Sequence, residues 1–411
     1  MVRKNDSVQK ARQHGAALLL SLLIALMLSL TFFFNAANTG TLNAHRQQAS
    51  EKVLAQAKAA LIAWSVLQGD IGSSPTTRRP GTLPCPDTNN SGNQAASCSA
   101  AGGTSIGRLP WRTLGIEDLR DADGERLWYA LSNNFRRAAG LNDKAINSDA
   151  QGTLQLYAND GTSLLTPPGE ELAAIIFSAG SPLAGQDRLS GPSNAANYLD
   201  AANARNNATA AGPFISGPVM STQGDTVLND LAIAVSAREL ISAIEKRALR
   251  EAQNSLAAYA INNGGKYPNP AKANDATCMT LISDIGSYNF CSSDSSVCFG
   301  RLPEESLAPY TSLWFKQNGW GRVMTYAVNK NSALDPSALE CSTSLSVDGA
   351  LKSYVLVAPG SAKSGQTRPS SSLANYLDDA ANHDAWTSLS SGQPNSAAPT
   401  AASNDQLRSL P

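Results

Sequence analysis

The feature that most restricts the fold of this chain is an internal repeat. Two cysteine pairs share a spacing of 13 residues, Cys85 with Cys98 and Cys278 with Cys291. The tetrapeptide Gly-Arg-Leu-Pro begins nine residues after each pair, at residues 107–110 and 300–303, so one offset of 193 residues aligns all of these positions. Spacing shared over such a length indicates a tandem duplication of one domain.

The repeat continues through the C-terminal part of each copy. The pattern Gly-x4-Gly-Gln-x-Arg occurs at residues 180–188 and 360–368, and Ala-Asn-Tyr-Leu-Asp occurs at residues 196–200 and 374–378. The motifs keep the same order in both copies, with small changes of offset between them. Insertions and deletions in the connecting loops explain those changes.

Apolar patterning predicts that each copy is a helix followed by strands. Apolar residues recur at helical spacing from residue 53 to residue 64 and from residue 241 to residue 259. Alternating or apolar runs then predict strands near residues 126–131, 153–157, 173–178, 322–328, 345–347 and 353–358. The predicted fold class is α+β, with each helix packed on a small antiparallel sheet.

Patterning and composition together divide the chain into five predicted segments. They are a basic leader at 1–15, a transmembrane helix at 16–34, a first domain at 44–232 with a helix at about 44–68, a second domain at 233–386, and a Ser-, Ala- and Pro-rich tail at 387–411. We expect the tail to bury little apolar surface, because small polar side chains do not offset the entropy lost when the backbone is ordered.

Residues 1–34 have the pattern of a membrane anchor. Four basic residues and one acidic residue precede Ala16, and the 19 residues from Ala16 to Phe34 carry no charge. A helix of that length extends about 28 Å, close to the hydrocarbon thickness of a bilayer. The basic flank predicts a single-pass inner-membrane protein with a cytoplasmic N-terminus and a periplasmic remainder. A secretory signal peptide is the alternative, although its apolar region is shorter.

The residues around Gly15 carry a second signal. Residues 12–15, Arg-Gln-His-Gly, followed by two alanines and three leucines, resemble the leader of type IV pilins and type II secretion pseudopilins. The resemblance implies that a prepilin peptidase cleaves after Gly15, so that Ala16 becomes the mature N-terminus. Leu20 stands where most members have Glu, which implies a minor member of that superfamily.

Two later motifs resemble those of pseudopilins. Residues 259–268 are similar to the signature that ends the long helix of the family, and residues 320–326 are similar to its Trp-Gly strand entry. The resemblance implies two tandem pilin-like domains. It implies other pilin or pseudopilin subunits as partners, contacted through the N-terminal helix, and a structural role in or at the tip of a type IV pilus or type II secretion filament, which can be extracellular. The alternative is a permanently anchored periplasmic binding or adhesion module outside any filament.

The six cysteines predict disulfide bonds. No Cys-x-x-Cys pair is present, so an even number of cysteines favours disulfides in an oxidising compartment over a zinc site. Six cysteines permit fifteen pairings, and the repeat selects one of them. The predicted bonds are Cys85–Cys98, Cys278–Cys291 and, by what remains, Cys298–Cys341.

The sequence contains little that indicates catalysis. Its three histidines have no metal-ligand spacing, and it lacks a Gly-x-Ser-x-Gly motif and a phosphate-binding glycine loop. We interpret the adjacent acids at residues 170–171 and 304–305 as solvated loop residues. The net charge of −1 gives no indication of a nucleic acid partner. We therefore predict that the protein is neither an enzyme nor a nucleic-acid-binding protein.

Two segments contain oxygen-bearing side chains of the kind that bind calcium. Residues 121–124, Asp-Ala-Asp-Gly, lack the other ligands of an EF-hand loop, so we predict a turn into a strand, with Gly124 and its counterpart Gly321 at positive φ.

The second segment is residues 180–200. The resemblance to pseudopilins implies a calcium site there, with Asp187, Asn197 and Asp200 as the candidate ligands and Asn375 and Asp378 as those of the other copy. The alternative is a loop without metal, in which Gln186 and Arg188 bond to the backbone. No other cofactor is predicted.

Overall fold

The computed structural model describes most of the chain. The described residues are 26–27, 42–69, 79–98, 104–136, 145–166, 170–189, 191–210, 212–275, 278, 291–337, 344–363, 365–379, 382 and 405–410. The chain divides into two compact units, Met1–Lys52 and Val53–Pro411. All packing considered below lies within the second unit. We call residues 53–236 the first half and residues 237–411 the second half.

Short strands and a few helices alternate along the described residues. The helices are α1 (residues 42–66), α2 (Trp111–Leu114), α3 (Ala237–Asn262), α4 (Glu304–Leu307), α5 (Leu313–Gln317) and α6 (Trp320–Val323). The strands are β1 (Thr104–Arg108), β2 (Trp128–Ser132), β3 (Leu156–Tyr157), β4 (Leu172–Ser178), β5 (Ala201–Ala202), β6 (Arg205–Asn206), β7 (Phe214–Ile215), β8 (Val219–Met220), β9 (Thr226–Leu228), β10 (Leu231–Ser236), β11 (Phe299–Arg301), β12 (Thr325–Val328), β13 (Ser346–Val347), β14 (Ala350–Leu351), β15 (Tyr354–Ala358) and β16 (Gln406–Leu410).

Each half contains a four-stranded antiparallel sheet, and the two sheets have equivalent strand orders. The order is β1-β2-β4-β10 in the first sheet and β11-β12-β15-β16 in the second. The registers also correspond, since a tyrosine on the second strand lies opposite a glycine on the first strand and an aliphatic residue on the third. These residues are Gly107, Tyr129 and Ile176 in the first sheet and Gly300, Tyr326 and Leu356 in the second.

The predicted fold class is wrong in two respects. The structure is mixed α/β, because the described residues also form four two-stranded sheets, one of them parallel. In addition, the helices do not pack on separate sheets. Helix α3 contacts β4 and β10 of the first sheet as well as β15 and β16 of the second. One hydrophobic core therefore includes residues of α1, α3 and both large sheets.

The start of α3 explains why this helix serves both halves. Ser236 ends β10 and also caps α3: its Oγ accepts from the Glu239 N–H at 3.1 Å, and Glu239 Oε2 accepts from the Ser236 N–H at 3.1 Å. This capping box begins the helix at the edge of the first sheet without an intervening loop. The helix continues for 26 residues and ends before Gly264 and Gly265, which have positive φ.

The structure corrects the prediction of a transmembrane helix at residues 16–34. Of that segment, only residues 26–27 are described. None of the helices in the described part of the chain combines the length and apolar composition needed to cross a bilayer. This finding contradicts the predicted single-pass inner-membrane localisation.

The end of the chain also differs from the prediction. The composition of residues 387–411 predicts a tail that buries little surface, but Gln406–Leu410 form β16, the fourth strand of the second sheet. This strand pairs with β15, with Leu356 opposite Arg408. The reason is that pairing with an existing strand orders a segment whose composition alone indicates no structure.

Candidate functional site

Two loops with the same sequence pattern contain the predicted calcium residues and their counterparts. We call residues 180–200 the first loop and residues 360–378 the second loop. Each follows the third strand of its sheet, which is β4 or β15. Residues 190 and 364 within these loops are not described.

Each loop is held by an arginine that donates to carbonyl oxygens near both of its ends. A guanidinium group has five N–H donors in a rigid plane, so one side chain can fix several backbone segments. The bonds are Arg188 Nη1 to Gly180 O (2.7 Å) and Nε to Asn197 O (3.3 Å) in the first loop, and Arg368 Nη1 to Gly360 O (2.7 Å) and Nε to Asn375 O (2.7 Å) in the second.

A glutamine in each loop connects its middle to its last residue. Its Oε1 accepts a backbone N–H three residues earlier, and its Nε2 donates to the aspartate that ends the loop. The bonds are Leu183 N to Gln186 Oε1 (3.1 Å) and Gln186 Nε2 to Asp200 Oδ1 (2.7 Å), and in the second loop Lys363 N to Gln366 Oε1 (3.0 Å) and Gln366 Nε2 to Asp378 Oδ1 (2.6 Å).

A buried aspartate directly before the fourth strand accepts hydrogen bonds from the end of each loop. Asp230 precedes β10 and Asp405 precedes β16. Each accepts the N–H of the aspartate that ends the loop and the side-chain amide of a nearby asparagine. The bonds are Asp200 N (2.8 Å) and Asn207 Nδ2 (2.9 Å) to Asp230 Oδ2, and Asp378 N (3.1 Å) to Asp405 Oδ1 with Asn382 Nδ2 (3.0 Å) to Asp405 Oδ2.

The arginine of each Gly-Arg-Leu-Pro segment joins its sheet to the loop. Arg108 donates to Pro192 O at 3.2 Å, and its guanidinium lies 3.9 Å from the ring centre of Tyr198. Arg301 donates to Ser370 O at 2.5 Å and lies 5.1 Å from the ring centre of Tyr376. Burial lowers the pKa of Arg108 to about 10 and also lowers the pKa of Arg301. Each of these arginines therefore connects a carbonyl oxygen before the second strand of its sheet to one in the loop.

The three predicted calcium ligands of the first loop make hydrogen bonds within the protein. Asp187 Oδ1 accepts the Leu189 N–H at 3.1 Å, Asn197 Nδ2 donates to Gly191 O at 3.5 Å, and Asp200 is held by Gln186. Among the described residues, no group of three or more His, Cys, Asp and Glu side chains has an arrangement that could hold a metal ion. The calcium site stays a prediction. The bonding of Gln186 and Arg188 follows the alternative that needs no metal.

The first glycine of each loop is anchored by a carboxylate, but from different places. In the first loop Asp121, which lies in the turn before β2, accepts the Gly180 N–H at 3.0 Å and the Ser178 hydroxyl at 2.9 Å. Asp121 Oδ1 also accepts the Asp123 and Glu125 N–H groups, so residues 121–124 form the predicted turn, with Gly124 at φ +82°.

In the second loop the anchor is Glu245, in the middle of α3. Glu245 Oε1 accepts the Gly360 N–H at 2.9 Å and the Ser148 hydroxyl at 2.5 Å, and Oε2 accepts from Gln406 Nε2 at 3.0 Å. Ser148 belongs to the first half and Gln406 to β16, so one carboxyl group joins both halves. Burial raises the pKa of Glu245 to about 7.

A segment of the first half continues this junction. Tyr376 of the second loop donates its hydroxyl to Asp149 Oδ2 at 3.1 Å, and Asn147 Nδ2 donates to Asn318 O at 2.7 Å. Burial raises the pKa of Asp149 and lowers that of Arg368, which faces it. Residues 145–150 therefore make polar contacts with three parts of the second half: the second loop, α3 and residues 318–319.

Two of the predicted disulfides are confirmed. Cys85–Cys98 and Cys278–Cys291 are bonded, with Cα–Cα distances of 5.5 Å and 4.4 Å. Cys341 lies outside the described residues, so Cys298–Cys341 stays a prediction. The predicted processing residues, Gly15 and Ala16, also lie outside the described residues.

The interpretation of residues 304–305 as solvated is wrong for Glu304. Its side chain is buried, its Oε1 accepts the Gly321 N–H at 3.0 Å, and burial raises its pKa to about 7. Gly321 does not have the predicted positive φ, since it lies within α6 and Gly319 takes that conformation instead. Gly321 is needed because a Cβ there would collide with the Glu304 side chain.

Glu245 was missed, although the sequence contains a signal for it. It lies four residues after Ile241 and three before Ala248, both on the predicted apolar stripe of α3. An acid on such a stripe is buried with the stripe and must find donors there.

Comparison of the chain with protein family models, curated proteins and solved structures gave no match.

Proposed function

We propose that this chain is a non-catalytic structural subunit of the pilin or pseudopilin kind, which acts by assembling with like subunits. The leader around Gly15 supports the proposal, because it resembles the sequence that a prepilin peptidase cleaves. The proposed mature chain begins at Ala16. The two disulfides agree with a protein that folds in an oxidising compartment.

The observation that carries the proposal is the bonding of the two loops. Their charged and amide side chains, Arg188 and Gln186 in the first loop and Arg368 and Gln366 in the second, bond inside the loops. Groups used in this way fix the shape of a surface. A surface that is already ordered loses little conformational entropy when another subunit binds, which favours assembly by contact.

The first experiment tests processing. Intact-mass measurement of the protein from its native cells should give a chain that begins at Ala16, and deletion of the prepilin peptidase gene should give a chain that begins at Met1. Gly15→Val should also prevent cleavage, because the leader resemblance puts the cut directly after this glycine. Gly40→Val, which changes a glycine outside the leader motif, is the matched control and should be cleaved normally. A wild-type chain whose N-terminus does not depend on the peptidase would reject the processing step.

The second experiment tests assembly. Filaments sheared from cells should carry the processed chain, and the Gly15→Val chain should be missing from them. If the wild-type chain is processed but never copurifies with other subunits, the alternative of a binding or adhesion module outside a filament is favoured.

A further inference from the structure

Glu245 lies where four parts of the second compact unit meet. It is on α3, it is 0% exposed, and it accepts hydrogen bonds from three other parts: Ser148 of residues 145–150, Gly360 of the second loop and Gln406 of β16. Ser148 comes from the first half, and the other two donors come from the second. The state of this carboxyl group therefore affects the halves and their junction together.

The charged groups around Glu245 do not compensate it fully. The cation that faces it is Arg368 of the second loop, and the same guanidinium also faces Asp149 and Asp378. The donors from residues 145–150 and β16, Ser148 and Gln406, are neutral. Arg368 is thus shared among three carboxyl groups, of which Asp378 also has Lys363 as a partner, and Glu245 is the fully buried one, where an uncompensated charge is costly.

Protonation removes that cost. A neutral carboxyl group needs no cation, and its carbonyl oxygen still accepts the Ser148 and Gly360 bonds. The direction of the pKa shift agrees with this geometry, since burial outweighs all three hydrogen bonds and Arg368.

We infer that Glu245 is a proton-controlled clasp between the two halves. In its protonated state it holds residues 145–150, the second loop and β16 against α3, and loss of the proton loosens this junction. In the described part of the first half, the corresponding anchor does not join the halves, because Asp121 holds Gly180 from within the same half. The inference concerns the response of the folded protein to pH and goes beyond the proposed function.

Hydrogen–deuterium exchange of the full chain tests the clasp. Peptides covering residues 145–152, 358–363 and 405–410 report the junction, and a peptide from β1 to β2 reports the first sheet. After correction for intrinsic exchange, the opening constant of the junction should rise with pH between about 5 and 7, by up to about tenfold per unit, and level off above. The opening constant of the first sheet should rise less.

Glu245→Gln should remove the pH dependence at the junction, because it keeps the shape and loses the titration. Glu239→Gln is the matched control: it makes the same change on the same helix at an exposed position, and glutamine retains the capping role. It should behave like the wild type. An equal pH dependence in Glu245→Gln and the wild type, or no pH dependence at the wild-type junction, would overturn the inference.

A second measurement covers the case in which Glu245→Gln does not fold. Carbon NMR of the labelled wild-type protein can follow the Glu245 carboxyl directly. A titration midpoint near pH 7, with simultaneous changes at Gly360 and Ser148, supports the clasp. A midpoint near the ordinary glutamate value of about 4.5 rejects it.

Discussion

The two halves of the molecule agree in how their loops are fastened and differ in where those loops are anchored. Both use an arginine and a glutamine, at positions 188 and 186 or 368 and 366, to bond the loop to itself. The anchor of the first glycine is Asp121 in one half and Glu245 in the other. Bonds within a loop depend only on the loop, whereas any buried carboxylate can accept a glycine N–H. The anchor can therefore differ while the loop stays the same.

A second difference concerns charge. Lys363 Nζ lies 3.0 Å from Asp378 Oδ2, whereas the first half has Leu183 at the corresponding position. The positions correspond because the backbone N–H of each residue donates to the Oε1 of its glutamine. In the first half, Asp230 Oδ1 is buried without a hydrogen-bond partner. Asp200 and Asp230, the acid pair of the first half, therefore have no counterpart of the Lys363 ammonium group at position 183.

The largest expected effect comes from the arginines that join the sheets to the loops. Arg301→Met leaves the carbonyls of Ala273, Arg322 and Ser370 without this donor. Arg108→Met does so for the carbonyls of Arg126 and Pro192 in the first half. An unsatisfied buried acceptor costs about 1–3 kcal/mol, so we expect each change to lower the free energy of unfolding by about 3–5 kcal/mol. Urea denaturation measures this.

Arg112→Met is the control for these two variants. Arg112 is exposed, so its replacement should change the free energy of unfolding by less than about 0.5 kcal/mol. The comparison uses the free energy of unfolding of the three variants. If Arg301→Met differs from Arg108→Met by as much as either differs from Arg112→Met, the two arginines do not have equivalent roles.

The next effect is a pH dependence that Glu304 brings to the second half. Its pKa in the folded protein is about 7 and its ordinary value is 4.5, so the folded state binds the proton more tightly. The contribution of Glu304 to stability is therefore largest below pH 4.5, falls between pH 4.5 and 7, and stays low above. Glu304→Gln should remove a loss of about 2–3 kcal/mol between pH 5 and pH 8 in urea denaturation.

The first half has Trp111 at the position that corresponds to Glu304, so this pH dependence distinguishes the halves. Glu51→Gln is a suitable control, because it makes the same change at an exposed position of α1. The Glu304 assignment is wrong if the two variants show the same slope of stability against pH.

A smaller effect should follow from exchanging the residues that correspond at positions 183 and 363. Lys363→Leu removes the ammonium partner of Asp378, a pair whose side chains are 16% and 6% exposed, and should lower the free energy of unfolding by about 1–2 kcal/mol. Leu183→Lys should raise it by about 1 kcal/mol by supplying a cation to Asp200 and Asp230. Leu183→Met keeps an apolar side chain and should change little. A Leu183→Lys variant no more stable than Leu183→Met would show that the acid pair needs no cation.

The sequence predicted the features that local spacing determines. Equal cysteine spacing predicted Cys85–Cys98 and Cys278–Cys291, and apolar runs indicated the central strands β4 and β15. Strands β10 and β16 were missed, because their place in the sheets depends on pairing with a strand distant in sequence rather than on their own composition. The shared core was missed for a similar reason. A helical pattern shows that one face of α3 is buried, but it does not show which sheets cover that face.

The smallest effect is expected from removing metal ions, and it compares the loops directly. The calcium prediction concerns residues of both loops, but Arg188 and Arg368 already place a positive charge among the carbonyl oxygens of these loops. We therefore expect EDTA to shift Tm by less than about 1 °C and to leave exchange in the two loops equally unchanged. A ligand at 100 times its Kd would contribute about 2.7 kcal/mol, which corresponds to a shift of several degrees. If calcium raised Tm by that amount and protected residues 180–200 but not residues 360–378, the first loop would be a metal site and the two loops would be fastened by different means.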